Sequence, residues 1–93
     1  PAYFFLFMEA MEQQAKAYGF TDQESRMLVQ QTALGAAQMV AHNSASITEL
    51  RGNVTSKGGT THAAIEQFKH EGLAEIVKNA MDAAIARAEE MAK

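Results

Sequence analysis

The sequence predicts an all-α fold of about five helices that pairs with a second copy of itself, and three observations carry that reading. Apolar residues recur at i, i+3 and i+4 along several long segments, the spacing of one helix face. No window alternates apolar and polar residues with the period of two that a half-buried strand requires. Finally, 5 Phe, 6 Met and many Ala fall on more faces than one chain of 93 residues can cover. A domain of this size hides only roughly 60 to 70% of the surface its unfolded chain exposes. Obligate interfaces resemble a core cut in half, so the surplus points to a helix-packed dimer.

The first helix opens at Pro1, whose missing N–H is no loss in a first turn. Phe4, Met8, Met11, Ala15 and Tyr18 keep helical spacing, and Tyr3, Phe5, Leu6 and Phe7 make the first two turns apolar all round, as expected of an end buried on several sides. Gly19 is placed to end this helix as its C′ residue. Thr21-Asp22-Gln23-Glu24 is a capping box for the second helix, which carries Met27, Leu28, Leu34 and Met39. Its small residues, Ala33, Gly35, Ala36 and Ala37, suit close approach of another helix backbone. Ser46-Ile47-Thr48-Glu49 repeats the capping pattern for a short third helix containing Leu50. Ala64, Ile65 and Phe68 mark a fourth helix reaching His70, with Gly72 as its stop. Leu73, Ile76, Val77, Ala80, Met81, Ala84, Ile85 and Ala88 form the cleanest amphipathic stripe in the chain.

Composition narrows the function. A net charge of −3 offers no basic footprint for nucleic acid or anionic lipid. The apolar run Ala2 to Met8 is far short of the ~20 residues that span a bilayer, and it lacks the flanks of a signal peptide. With 0 Cys there is no thiolate metal site or disulfide framework, and a cytoplasmic home is the default expectation. The chain begins at Pro1 rather than Met, already inside an apolar helical pattern, which suggests a piece of a longer protein, residues 1–93 being one domain of it.

One stretch does not read as helix: GNVTSKGGTT, residues 52–61. Gly58 and Gly59 can take positive φ, turning successive N–H groups inward as an anion-binding nest. Thr60 and Thr61 then open a helix whose free N–H groups and dipole favour an anion such as a carboxylate. The hydroxyls of Thr55, Ser56, Thr60 and Thr61 add donors, and Arg51 and Lys57 flank the loop with positive charge. The same residues also serve an ordinary helix connection, with Gly turning and Thr capping. A Walker A phosphate loop is excluded, because Lys57 precedes the two glycines rather than following one, and no strand leads in.

No metal site is expected. His62, Glu66 and His70 share a helix face, but eight residues at a rise of about 1.5 Å put the two histidines about 12 Å apart, too far for one ion. His70-Glu71 begins like the zinc-protease motif, yet Ala74 stands where its second His would be. The stripe reads as a solvated face, as does the Glu89-Glu90 pair on the last helix. Nothing vouches for a Ser-His-Asp or Cys-His arrangement, and no Gly-rich turn follows a strand, so the segment has no dinucleotide site of its own.

Pro1-Ala2-Tyr3 opening an apolar helix, then Glu49-Leu50-Arg51 leading into Asn53-Val54-Thr55-Ser56-Lys57-Gly58-Gly59-Thr60-Thr61, resembles the C-terminal domain of pyrroline-5-carboxylate reductase. The resemblance covers essentially the whole chain. It implies an all-helical dimerisation domain interleaved with that of a second subunit, in an enzyme that reduces 1-pyrroline-5-carboxylate to L-proline with NADPH or NADH, the last step of proline biosynthesis. The Rossmann domain that binds most of the cofactor lies outside these residues, so the segment alone is expected to be inactive. The resemblance assigns Ser56, Thr60 and Thr61 to the substrate carboxylate, with Val54, Gly58 and Gly59 shaping the loop. Two departures stand out: Lys57 occupies a position where many members carry Pro, and Asn43-Ser44-Ala45-Ser46 replaces a stretch that tends to hold a Glu and a Pro. Fixing the carboxylate sets the imine carbon beside the hydride donor, a positioning effect that can lower a barrier by several kcal/mol. No residue of the segment presents itself as proton donor to the imine nitrogen. The rival from another class is a free-standing helical interaction module with an anion-binding loop.

Overall fold

A computed structural model describes residues Pro1–Lys93 and contains five α-helices: α1 (Ala2–Ala17), α2 (Asp22–Ala41), α3 (Ile47–Asn53), α4 (Thr60–His70) and α5 (Leu73–Met91). The chain divides into two compact units, Pro1–Leu50 and Arg51–Lys93, with the division inside α3. No helix is long and apolar enough to cross a membrane.

In the first unit, α1 and α2 form a helical hairpin, and local chemistry sets its corner. Gly19 sits at φ 106°, its N–H donates to the Lys16 carbonyl at 3.0 Å, and the Phe20 N–H donates to the Ala15 carbonyl at 3.2 Å. These two bonds define the Schellman ending, which satisfies carbonyls that the end of α1 would otherwise orphan. Two residues on, the Glu24 N–H donates to Thr21 Oγ1 at 3.1 Å, while Glu24 Oε1 accepts from the Thr21 N–H at 2.8 Å. The capping box is therefore complete in both directions, a feature worth on the order of 1 kcal/mol. The register is antiparallel: Phe5 and Met8 line a groove with Val29 and Gln30, and Glu12 and Lys16 line the next with Asp22 and Arg26. Lys16 Nζ lies 3.6 Å from Asp22 Oδ1 across the turn.

The third helix is capped more weakly than its sequence pattern suggests. Ser46 Oγ accepts from the Glu49 N–H at 3.1 Å, but the Glu49 carboxylate does not return to the Ser46 N–H, so only the forward half of the box forms. In the second unit, Gly72 at φ 81° separates α4 from α5, and its N–H donates to the Lys69 carbonyl at 3.0 Å. Only a residue tolerant of the left-handed region turns the chain there without strain. The two helices meet close to that corner, where Ala64 and Phe68 face Leu73 and Ile76.

The core inside the chain is very small. Val29 and Leu50 are its only buried hydrophobic residues and Ser25 its only buried polar one, whereas 22 large hydrophobic residues are exposed. The apolar first turns of α1, expected to be covered on several sides, are bare within the chain, with Phe4 76% exposed. The α5 stripe is likewise open at Ile76, Val77, Met81 and Ile85. The chain exposes 7904 Å². Even two independent compact units of half the mass would expose only about 6,400 Å² together by size scaling. The apolar pattern read from the sequence is thus real, but most of its faces have no cover within one copy.

Candidate functional site

The segment between α3 and α4 is built from the end of one helix and the start of another, both in the second unit. The Arg51 carbonyl, orphaned as α3 ends, accepts from the Val54 N–H at 3.2 Å and from Thr55 Oγ1. Thr55 therefore spends its hydroxyl on closing α3 and is not among the available donors.

Ser56-Lys57-Gly58-Gly59 then makes a tight turn, closed by the Gly59 N–H donating to the Ser56 carbonyl at 3.0 Å. Gly58 occupies the third position at φ 77°, as a type II turn demands. Gly59 takes φ −85° and is an extended N-cap for α4, so the positive-φ expectation holds for Gly58 and not for Gly59. Gly59 needs to be small for a different reason: a Cβ there would stand 3.2 Å from the Ser56 carbonyl oxygen.

The N–H groups of the two glycines are already used. Gly59 closes the turn, and the Gly58 N–H donates to Nδ1 of His62 at 3.0 Å. The nest expected from successive glycine amides is replaced by a different donor set. The first hydrogen bond of α4 runs from the Ala63 N–H to the Gly59 carbonyl at 3.1 Å, which leaves the N–H groups of Thr60, Thr61 and His62 without acceptors in the chain. The hydroxyls of Ser56, Thr60 and Thr61 likewise make no hydrogen bond within the chain, and Ser56, Thr60 and Thr61 are exposed. These donors gather at the positive end of α4, where a carboxylate gains from both the free N–H groups and the helix dipole. Val54, one turn upstream, exposes an apolar side chain. Of the six residues expected to form the loop, the hydroxyl-bearing three supply donors and the two glycines supply the turn that brings Ser56 back toward the helix start.

His62 is the residue that sequence reasoning missed. Its polar stripe predicts a solvated side chain, yet one ring nitrogen holds the loop and the other, Nε2, lies 3.5 Å from Glu66 Oε1. Nδ1 thus accepts from the loop, and Nε2 lies on the side of the carboxylate. The legible signal was position: His62 is the third residue of α4, the place from which Glu or Gln reaches back in a capping box. Glu66 also lies 3.8 Å from Lys69 Nζ. No three His, Asp or Glu side chains converge as a metal site.

Comparison with known proteins fits this architecture throughout. The family model for pyrroline-5-carboxylate reductase dimerisation matches residues 1–91. The chain is 58% identical over 94 residues to the pyrroline-5-carboxylate reductase of Vibrio alginolyticus, covering 100% of this chain but 35% of that protein. It is 44% identical over 93 residues to the reductase of Pseudomonas aeruginosa, again covering 100% of the chain and 34% of the relative. Among solved structures, a pyrroline-5-carboxylate reductase from Coxiella burnetii superposes with a TM-score of 0.92 at 43% identity, over 97% of this chain and 33% of that one. The Plasmodium falciparum pyrroline carboxylate reductase with NADP bound gives a TM-score of 0.95 at 29% identity, over 100% of this chain and 37% of its own. The chain thus spans about a third of the length of the relatives it matches. By its sequence and its helical architecture alike, the chain belongs to the pyrroline-5-carboxylate reductase dimerisation family.

Proposed function

We propose that residues 1–93 serve as one dimerisation and substrate-loop domain of a reductase that converts 1-pyrroline-5-carboxylate to L-proline with NADPH or NADH. The observation that carries this reading is the match of the dimerisation family over 1–91, together with relatives named pyrroline-5-carboxylate reductase. The reading entails a cytoplasmic homodimer, able to assemble further, whose helices interleave so that the open faces of α1, α2 and α5 become its core.

Within that enzyme the chain's own contribution is placement. The exposed hydroxyls of Ser56, Thr60 and Thr61 and the open N–H groups of Thr60, Thr61 and His62 supply donors for the substrate carboxylate. Val54, Gly58 and Gly59 set the shape of the loop around it. Holding one end of a small ring fixes where its imine carbon sits, which is the entropic part of the barrier. The five helices contain no strand leading into a glycine turn, and the reading leaves the cofactor mainly to a Rossmann domain outside these residues. Lys57 is the loop's one titratable side chain, and no residue of the segment is assigned the protonation of the imine nitrogen.

The test is NADPH oxidation driven by 1-pyrroline-5-carboxylate, using the chain joined to its upstream coding region. Ser56→Ala and Thr60→Ala are expected to raise KM for the imine at least about tenfold, the worth of a hydrogen bond to a charged group, with KM for NADPH little changed. Equal changes in both constants would remove the carboxylate from this loop. A folded parent without turnover would favour the anion-binding interaction module instead.

A further inference from the structure

We infer that His62 is a positioning residue for the substrate loop, acting through the Gly58 N–H rather than by touching the substrate side chain-first. This rests on the reading of residues 54–61 as the substrate loop.

The geometry is specific to one ring atom. Nδ1 accepts from the Gly58 N–H at 3.0 Å, and Gly58 is the one loop residue in the left-handed region, at φ 77°. The turn is otherwise closed by a single bond, from the Gly59 N–H to the Ser56 carbonyl. Without an acceptor at residue 62, the Gly58 peptide can rotate and carry Ser56 away from Thr60 and Thr61, because glycine resists such rotation less than any other residue. His62 ties the peptide to the first turn of α4, the most rigid part of the site.

The ring is itself held. Its side chain is 37% exposed, and Nε2 lies 3.5 Å from Glu66 Oε1, one turn further along α4. Lys69 approaches the same carboxylate oxygen at 3.8 Å, completing the charged neighbourhood of the ring on its own helix. The loop, the histidine and the carboxylate thus form one chain of contacts that ends on the donors proposed for the substrate. His62 leaves its own backbone N–H open at the helix start, so its side chain and main chain have separate tasks.

The experiment separates the Nδ1 bond from bulk and from folding. In the full reductase, His62→Leu keeps volume and helix propensity but removes the acceptor, and His62→Asn returns an oxygen close to the Nδ1 position. His62→Leu is expected to raise KM for 1-pyrroline-5-carboxylate roughly three- to tenfold, the range of one net hydrogen bond, and to leave KM for NADPH within about twofold. His62→Asn is expected to stay within about twofold of the parent in both. If Leu and Asn raise KM equally, the Nδ1 bond is not the cause and the inference fails. If His62→Leu has no effect while Ser56→Ala raises KM, the loop binds substrate but His62 does not hold it. If neither variant moves KM for the imine, the substrate-loop reading falls and this one with it.

Discussion

The Gly59 N–H donates to the Ser56 carbonyl at 3.0 Å, and a Cβ placed on Gly59 would meet that same oxygen at 3.2 Å. One oxygen therefore sets both the closure of the turn and the upper limit on the size of the residue that closes it. Gly58 is constrained differently, by φ 77° with nothing within 4 Å of a Cβ. Gly58→Ala should cost about 1 kcal/mol through its left-handed conformation alone. Gly59→Ala should cost less in stability, because its φ is ordinary, yet push Ser56 outward by a few tenths of an ångström. The expected signature is a Gly58→Ala enzyme with a lowered melting temperature and a Gly59→Ala enzyme with a raised KM for the imine. Thermal melts and initial rates on the two variants check it, and identical behaviour would show that the two glycines are not distinct.

Lys57 stands at the second position of that turn, where the backbone φ of a type II turn matches the one proline is locked into. Its N–H donates to nothing in the chain, and Ser56 before it is outside any helix. Lys57→Pro should therefore stabilise the folded state by about 0.4–1 kcal/mol, by restricting the unfolded chain. Urea melts at a fixed subunit concentration would show this as a higher midpoint with an unchanged slope. A lower midpoint would mean that Ser56 cannot adopt the extended conformation a following proline requires.

Which parts were legible in the sequence follows from how local their causes are. Gly19, the Thr21–Glu24 box and Gly72 were readable because each acts within five residues, and a residue's own neighbours complete it. The stripe of α5 was readable as a helix, but what covers it was not, since periodicity reports a face and never its partner. The apolar turns at Tyr3 to Phe7 illustrate the same limit: the expected burial needs surface that one copy does not supply. At the loop, residue types pointed to an anion site, while the assignment of each N–H did not follow from composition. Thr55 and the two glycine amides are internally bonded, and the open donors shift into α4. His62 was read by its polar stripe when its position in the first turn was the informative fact.

Ser25 is fully buried, and its Oγ has no hydrogen-bond partner. Its N–H is in place on the Thr21 carbonyl at 2.9 Å, so only the hydroxyl is left over. A buried donor without a partner carries a desolvation penalty of about 1–3 kcal/mol, and Ala is also the better helix former. Ser25→Ala should raise stability by roughly 1 kcal/mol, whereas Ser25→Val should lower it by about 1–3 kcal/mol through overpacking. Differential scanning calorimetry on both variants decides the matter. A drop for Ser25→Ala would indicate that the hydroxyl finds an acceptor in the assembled enzyme.

The surplus surface leads to the last prediction. The chain exposes 7904 Å², about 1,500 Å² more than two compact half-sized units would, and a pair of chains hiding that excess would bury roughly 3,000 Å², within the range of obligate interfaces. The protein should sediment as a dimer at micromolar concentration. Ile85, on the open α5 stripe, is 58% exposed in one copy, so Ile85→Glu costs a lone chain little. In a dimer that covers the stripe, the same charge loses its water without gaining a partner, at a cost of several kcal/mol. Ile85→Glu should therefore shift the protein to monomer, or make its helical signal fall on dilution, while Glu90→Gln, about 140° round α5 from Ile85, changes neither. A wild-type monomer at micromolar concentration, or an Ile85→Glu dimer as tight as the parent, would mean that the α5 stripe lies outside the subunit interface.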